Sequence, residues 1–252
     1  MRLDLTPDGH CNFNCAYCEV HRNQIESDRV PDIPLMMAEL EAVLDTIANG
    51  RARELPGCAN APDGYLHLGH VALSGAGEPT LCACFADIVE SLLHLRARTR
   101  HGFFRIAVVT NGSRIYAPEI RPSLKLLTPQ DEIWAKLDAG TEAWFRLVND
   151  GDITLEEVMA QLKACGRDHS LTIQSLFPTL PRFPGGPPLE EIQAYVGRLI
   201  ELTTAGVDIP AVQIYSTSRP SARPGCGHAP LATLSTIARE VRTKTGLNAQ
   251  VY

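Results

Sequence analysis

Three cysteines, Cys11, Cys15 and Cys18, lie within the eight-residue stretch CNFNCAYC. Thiolates are soft ligands that hold zinc ions or iron–sulfur clusters, and four ligands close either kind of structural site. Three thiolates with no obvious fourth ligand beside them leave one metal position open to a molecule from outside the chain. A [4Fe–4S] cluster is one interpretation of this spacing. Structural zinc completed by a distant His21 or Cys226 is the other.

The composition is that of an acidic globular chain. The sequence has 252 residues, of which 44% are hydrophobic and 21% charged, and its net charge is −6. A chain of this length can bury a sizeable core, and we expect a single domain. Because the net charge is negative, the chain as a whole is not attracted to phosphate backbones, and nucleic acid is not an expected partner.

The start of the chain, MRLDLTPDGHCNF, has no apolar segment of signal-peptide length, and no later stretch reaches the apolar length of a membrane span. We therefore expect a cytoplasmic protein with no membrane partner. Eight cysteines in a reducing compartment favour metal binding or catalysis over a disulfide framework.

Apolar and β-branched runs alternate with helical periodicity along the whole chain, which predicts βα units around a parallel sheet. Six strands are predicted, at 2–5, 66–74, 104–110, 132–138, 171–177 and 211–216. Helices are predicted at 34–48, 84–98, 117–127, 155–165, 189–202 and 232–246. This order indicates an α/β fold, a partial (β/α)6 barrel. In such folds the reactive residues lie at the carboxyl ends of the strands. The cysteine stretch directly follows the first predicted strand, so it lies where this fold places its chemistry.

The C-x3-C-x2-C spacing, with the aromatic Tyr17 before the last cysteine, resembles the hallmark of the radical S-adenosylmethionine (radical SAM) superfamily. The resemblance implies an enzyme in which Cys11, Cys15 and Cys18 bind a [4Fe–4S] cluster whose open iron is chelated by S-adenosylmethionine. Reductive cleavage would then give a 5'-deoxyadenosyl radical that abstracts hydrogen from a substrate, with a flavodoxin or ferredoxin as electron donor. Its reaction would be that of an oxidoreductase or a lyase.

The resemblance also implies a domain organisation. Residues 1–252 are interpreted as one radical SAM core with a short strand or helix tail at the carboxyl end. Auxiliary-cluster domains need a cysteine-rich extension, and a single cysteine, Cys226, follows Cys165. We therefore expect no auxiliary-cluster domain.

The stretch SGAGEPTL, residues 74–81, closes the second predicted strand and is similar to the GGE segment of the family. By this resemblance Gly75, Ala76, Gly77 and Glu78 hold the ammonium group of S-adenosylmethionine, since a carboxylate and a cation form a charge-assisted pair. Ala76 departs from the double glycine of the pattern. Taken alone, GAGEP is an ordinary turn after a strand.

The third and fourth strands also end in polar residues. VVTNGS places Asn111 at a strand end and matches the TNG segment of the family, although Asn-Gly alone is a common turn sequence. Lys136 and Asp138 lie two residues apart, so their side chains share one face of the fourth strand. They either line a ligand-binding wall or form an ion pair at the rim.

The last two predicted strands carry polar residues at a period of two. Gln174 lies on the fifth strand, and Gln213 and Tyr215 lie on the sixth. Polar side chains at this spacing are suited to line a cavity. We count Gln174 and Tyr215 among the cofactor-binding residues. Arg219 either pairs with an anionic group of the substrate or is a solvated rim residue. Loops rich in Pro and Gly at 55–64, 177–188 and 218–227 are expected to surround the site.

The segments GAGEPTL, VVTNGS, KLDAGTEAWFRLVN and VQIYSTSRP together resemble the wyosine-synthase-like branch of the superfamily over about residues 2–222. The acidic balance favours a small-molecule substrate over a macromolecule. A glycyl-radical-enzyme activase and an RNA- or peptide-modifying radical SAM enzyme remain open as enzyme alternatives. A zinc-stabilised binding protein is the alternative from another class.

The remaining cysteines leave several interpretations open. Cys226, in the loop PGCGH, is either a hydrogen-atom donor to a substrate radical, and so catalytic, or inert. Cys82 and Cys84 either bind a second metal or pack as small hydrophobic residues at a helix start. Cys165 ends a predicted helix and is interpreted as core packing, and Cys58 is assigned no role.

Overall fold

The computed structural model describes residues 1–21, 29–98, 103–222 and 224–252, so Arg223 of the predicted loop 218–227 lies outside the described residues. A seven-stranded parallel sheet forms the centre of the fold, in the spatial order β1–β2–β3–β4–β5–β7–β9. Its strands are β1 (Arg2–Asp4), β2 (His70–Ser74), β3 (Arg105–Thr110), β4 (Glu132–Lys136), β5 (Leu171–Leu176), β7 (Val212–Tyr215) and β9 (Ala249–Val251). The sheet is not closed, which confirms the predicted partial barrel.

Helices connect the strands, and a short antiparallel pair, β6 (Pro178–Thr179) with β8 (Gly227–His228), lies outside the main sheet. In the part of the chain that the structure describes, no helix has the length and apolar character needed to cross a bilayer. The helices are α1 (Ile33–Ala48), α2 (Phe85–Arg98), α3 (Arg121–Leu124), α4 (Glu142–Val148), α5 (Leu155–Cys165), α6 (Leu189–Thr204) and α7 (Leu231–Thr245).

Besides the short pair β6 and β8, which lies in predicted loops, two helices and one strand of the main sheet differ from the sequence prediction. The helix predicted at 117–127 is reduced to α3, because prolines at 118 and 122 lack the N–H groups that an α-helix needs in its interior. Helix α4 was missed, although Thr141 caps it by accepting a hydrogen bond from the amide of Trp144. The carboxyl-terminal segment, expected only as a short tail, joins the sheet as β9 beside β7.

The two faces of the sheet have different characters. Burial alternates from residue to residue along β2, β4 and β7. The fully buried positions, such as Val71, Ile133 and Val212, belong to the hydrophobic core that the helices complete. The opposite face is less buried and more polar, as expected for the inside of a partial barrel whose carboxyl-terminal edge carries a site.

A buried ion pair fastens α2 to the sheet. The Arg96 guanidinium donates to both carboxylate oxygens of Asp131, at 2.6 and 3.1 Å, and the Asp131 side chain is 0% exposed. The amides of Ile106 and Thr128 donate to the same carboxylate. Burial by itself raises the pKa of Asp131, but these hydrogen bonds outweigh it and hold that pKa below its usual value.

We expect Asp131→Asn to lower the free energy of unfolding by about 3–5 kcal/mol at neutral pH, because it leaves the guanidinium buried without its counter-charge. Urea denaturation followed by circular dichroism measures the change. The matched control Glu54→Gln breaks the exposed Arg51–Glu54 pair (3.2 Å) and should cost less than about 1 kcal/mol.

The stabilisation by Asp131 should also depend on pH. Because the folded-state pKa of Asp131 is depressed, its contribution to the free energy of unfolding is present above the unfolded-state pKa and disappears as the pH falls through the folded-state value. Equal losses in the two variants would contradict the assignment.

Candidate active site

A cavity of about 200 Å³ lies at the carboxyl ends of β2, β3 and β4. We call it the cysteine cavity. It brings together most of the residues that the sequence singled out, namely Cys11, Cys15, Tyr17, Cys18, Gly75, Ala76, Gly77, Glu78, Asn111 and Lys136. Asp138, Gln174, Tyr215 and Cys226 are not among the residues that line it.

The cysteine loop is held by α4, the helix that the sequence analysis missed. The amides of Asn14 and Ala16 donate to the carbonyl oxygens of Asn149 and Val148, at 3.0 and 2.7 Å. Phe13 is buried, and its ring meets Phe145 edge-on with 5.4 Å between centroids. These contacts with α4 therefore fix the backbone path of the loop that carries the cysteines.

The loop after β2 is tied to the segment that leads to Cys11. The amide of Ala76 donates to Asp4 Oδ1 at 3.1 Å, and the amide of Gly77 donates to Thr6 Oγ1 at 2.8 Å. A Cβ atom on Gly77 would overlap the carbonyl oxygen of His10. Glycine at position 77 thus permits a close backbone approach between the loop after β2 and the segment that leads to Cys11. Asp4 and Thr6 hold that loop in place, and the sequence analysis missed both of these positioning residues.

The Glu78 carboxylate is buried and serves mainly as a cross-link between strand ends. Its Oε1 accepts hydrogen bonds from the amide and hydroxyl of Thr80 (3.1 and 2.6 Å) and from the Thr110 hydroxyl (2.6 Å). Its Oε2 accepts one hydrogen bond, from the amide of Asn111 at 2.6 Å, and so keeps capacity for another donor. Burial raises the pKa of Glu78, while these hydrogen bonds oppose the rise.

Asp138 lies behind the cavity wall, in a buried network with the cysteine loop. Its carboxylate accepts from the Tyr17 hydroxyl, from Asn149 Nδ2 (2.7 Å) and from the amide of Leu176 (2.8 Å). Lys136 Nζ donates to the Tyr17 hydroxyl at 2.7 Å and lies 3.9 Å from Asp138 Oδ2. Lys136 and Asp138 thus form an ion pair, and Lys136 is the member that lines the cavity.

Charge in the cavity is balanced by Lys136. Burial by itself lowers the pKa of Lys136, but the negative charges of Asp138 and the cysteines outweigh it and raise that pKa, so the ammonium stays charged at neutral pH. Burial raises the pKa of the Cys15 thiol to about 11, with the charge of Lys136 opposing the rise. A thiolate at Cys15 therefore needs a metal partner in addition to this lysine.

The donor set fits an iron–sulfur cluster held by three protein ligands. The cavity is lined by three soft thiols and by no other cysteine of the chain. The buried hydroxyl of Ser74, also in the lining, has no hydrogen-bond partner among the described residues, as expected where a bound group would supply one. Among those same residues, no group of three or more His, Cys, Asp or Glu side chains is arranged to hold a single metal ion.

Several other candidates lie elsewhere. Arg219 is largely exposed and pairs with Glu19 at 3.3 Å. Cys226 lies beside the short β8 strand, outside the cysteine cavity. Cys165 is fully buried in the core, which raises the pKa of its thiol to about 12. The sulfur atoms of Cys82 and Cys84 are 3.3 Å apart just before α2, and both residues pack against the core.

No protein-family model matches the chain. Among curated proteins, 113 residues (45% of the chain) are 33% identical to the probable GTP 3',8-cyclase of Methanothermobacter thermautotrophicus, covering 28% of that protein. A stretch of 149 residues (59% of the chain) is 21% identical to the GTPase Obg of Brachyspira hyodysenteriae, covering 18% of it. The chain thus spans less than a third of either curated relative.

Solved structures resemble the chain along nearly its whole length. TYW1 with a lysine–pyruvate adduct bound has a TM-score of 0.58 at 18% identity, covering 92% of this chain and 70% of that one. Streptococcus suis SuiB bound to S-adenosylmethionine has a TM-score of 0.67 at 14% identity, covering 100% of this chain and 50% of that one. At these identities the likeness concerns the fold.

These neighbours are radical SAM enzymes, and the fold of this chain matches theirs. The fold of this chain is therefore that of the radical SAM enzymes it resembles, as the sequence predicted. The wyosine synthase TYW1 is among the structures with this fold.

We expect Gly77→Ala to lower the free energy of unfolding by about 1–3 kcal/mol, because the new methyl group must displace the backbone at His10. The matched control is Gly69→Ala, where a Cβ atom would meet nothing within 4 Å; it should change stability by less than about 0.5 kcal/mol. Chemical denaturation of the two variants measures both values. A Gly77 variant as stable as the control would show that the two segments are not packed as described.

Proposed function

We propose that the protein is a radical SAM enzyme that acts on a small-molecule substrate. The cysteine cavity carries this proposal, because three cysteines, the 75–78 loop and Lys136 meet at the carboxyl-terminal edge of a parallel sheet. Cys11, Cys15 and Cys18 would hold a [4Fe–4S] cluster, and the loop with Asn111 would hold S-adenosylmethionine. The bound cluster would pass an electron from a flavodoxin or ferredoxin to S-adenosylmethionine, whose cleavage gives the radical that removes hydrogen from the substrate.

The residues of this chain have identifiable tasks in that scheme. Lys136 offsets the negative charge of the thiolates, which would otherwise be expensive to keep in a half-buried cavity. The side-chain amides of Asn111 and Asn149 point to Cys11 Sγ and Cys15 Sγ at 3.9 and 3.7 Å, contacts of the kind that tune a cluster. The second acceptor position of Glu78 Oε2 can receive an ammonium group.

The substrate class is proposed from charge. A net charge of −6 gives the chain no general attraction to nucleic acid, and a small molecule is therefore favoured over RNA.

Anaerobic reconstitution with iron and sulfide tests the proposal. The wild-type protein should take up about four iron atoms per chain, show visible absorption that bleaches with dithionite, and release 5'-deoxyadenosine from S-adenosylmethionine. Cys15→Ala should lose both the absorption and the product, because two thiols do not hold the cluster. The matched control Cys58→Ala lies outside the cysteine cavity and should retain both.

One tightly bound zinc ion per chain, with no cleavage of S-adenosylmethionine after reconstitution, would establish the zinc-binding alternative instead. Retention of cluster absorption by Cys15→Ala would refute the ligand assignment even if the wild-type protein were active.

A further inference from the structure

Three glutamines, Gln174, Gln213 and Gln250, stand side by side on neighbouring strands; we call them the glutamine row. Strand register pairs Gln174 with Gln213, and Gln213 with Gln250, so all three occupy the same face of the sheet. On the other side, register pairs Gln174 with Lys136 of β4. The row therefore continues along one face of the sheet from a residue that lines the cysteine cavity.

A tyrosine follows two of these glutamines at a distance of two residues. Tyr215 ends β7 after Gln213, and Tyr252 comes directly after β9, which contains Gln250. The Tyr215 hydroxyl donates to Gln213 Oε1 at 2.8 Å, and the Tyr252 hydroxyl donates to Gln250 Oε1 at 2.9 Å. The segments QIY on β7 and QVY at β9 thus repeat one local arrangement. Their rings stack on each other with 5.2 Å between centroids and 23° between planes, which gives the row a flat aromatic neighbour.

The row has hydrogen-bonding capacity that the protein does not use. Gln213 Oε1 accepts from Gln174 Nε2 and from the Tyr215 hydroxyl, both at 2.8 Å, which fills its two acceptor positions. The amide nitrogen of Gln213 and the carbonyl oxygen of Gln174 make no hydrogen bond to any residue that the structure describes. Both side chains are partly exposed, so these unused groups are accessible to a molecule that binds there.

The chemistry of these open groups is neutral. They offer N–H donors next to a carbonyl acceptor, and the glutamine row has no ionised side chain. Arg219, the residue near this strand end that could have bound an anion, pairs with Glu19 and is 76% exposed. The cation beside the row on this face, Lys136, is already held by the Tyr17 hydroxyl and paired with Asp138, so a phosphate or carboxylate would find no free cation in the row.

We propose that the glutamine row binds the substrate through a neutral group that presents a hydrogen-bond acceptor and donor side by side, a vicinal diol or a primary carboxamide. This inference rests on the proposed function, since it places the bound molecule beside the cavity where the radical would form. It assigns Gln174, Gln213 and Tyr215 to the substrate.

Saturation-transfer-difference NMR on the reconstituted protein with S-adenosylmethionine tests the inference. The probes are myo-inositol for the diol, succinamide for the carboxamide, and succinate as an anion matched in shape to succinamide. We expect signal from one or both neutral probes and at most background from succinate. Gln213→Met, which keeps the side-chain length but removes the open donors, should weaken the positive probe about 5- to 10-fold, as expected for one or two lost hydrogen bonds.

Gln174→Met is the second variant and should weaken the same probe, so the test survives if one variant fails to fold. Gln193→Met, on the exposed side of α6, is the matched control and should bind as the wild type does. Stronger binding of succinate, or no loss in either folded variant, or no binding of any probe, would overturn the inference. Release of 5'-deoxyadenosine, measured separately on the wild type, shows whether the proposed function itself stands.

Discussion

A buried carboxylate that must fill its acceptor positions holds the site together. Asp138 is 2% exposed, and its oxygens are satisfied by Tyr17 from the cysteine loop, by Asn149 from the end of α4 and by the amide of Leu176 at the end of β5. Loss of any one donor would leave a buried charge underpaired, at a cost of several kcal/mol. These segments are therefore coupled to one another and to Lys136, which contacts Tyr17 and Asp138.

Glu78 imposes the same constraint on the other side of the cavity. Its carboxylate joins the ends of β2 and β3, while its own amide donates to the carbonyl oxygen of His10 at 2.8 Å, one residue before Cys11. The residues that the sequence marks as ligand-binding thus also build the cavity. A substitution at Glu78 would disturb the fold and ligand binding together, so stability has to be measured alongside activity in any variant at this position.

The sequence predicts what depends on local pattern. Six of the seven sheet strands and the residues of the cysteine cavity follow from apolar periodicity and strand-end motifs, because parallel strands bring their carboxyl ends to one edge. The contacts of Thr6 and Asn149 could not be foreseen, since both depend on which distant loops meet. Helix α4 was recoverable from the capping residue Thr141, and β9 from the repeat of QIY as QVY.

Lys136 marks a boundary between two chemical environments on one face of the sheet. On the side of β2 and β3, Glu78, Lys136 and the thiolates that the cysteines would form with a metal are charges that compensate one another within a half-buried space. On the side of β5, β7 and β9, the paired positions are glutamines, which donate and accept without carrying charge. This division follows from electrostatics, because an anion bound beside Lys136 would compete for the ammonium with Asp138 and with any thiolate formed in the cavity. Amide groups avoid that competition, so a neutral molecule can bind next to the cysteine cavity without disturbing its charge balance.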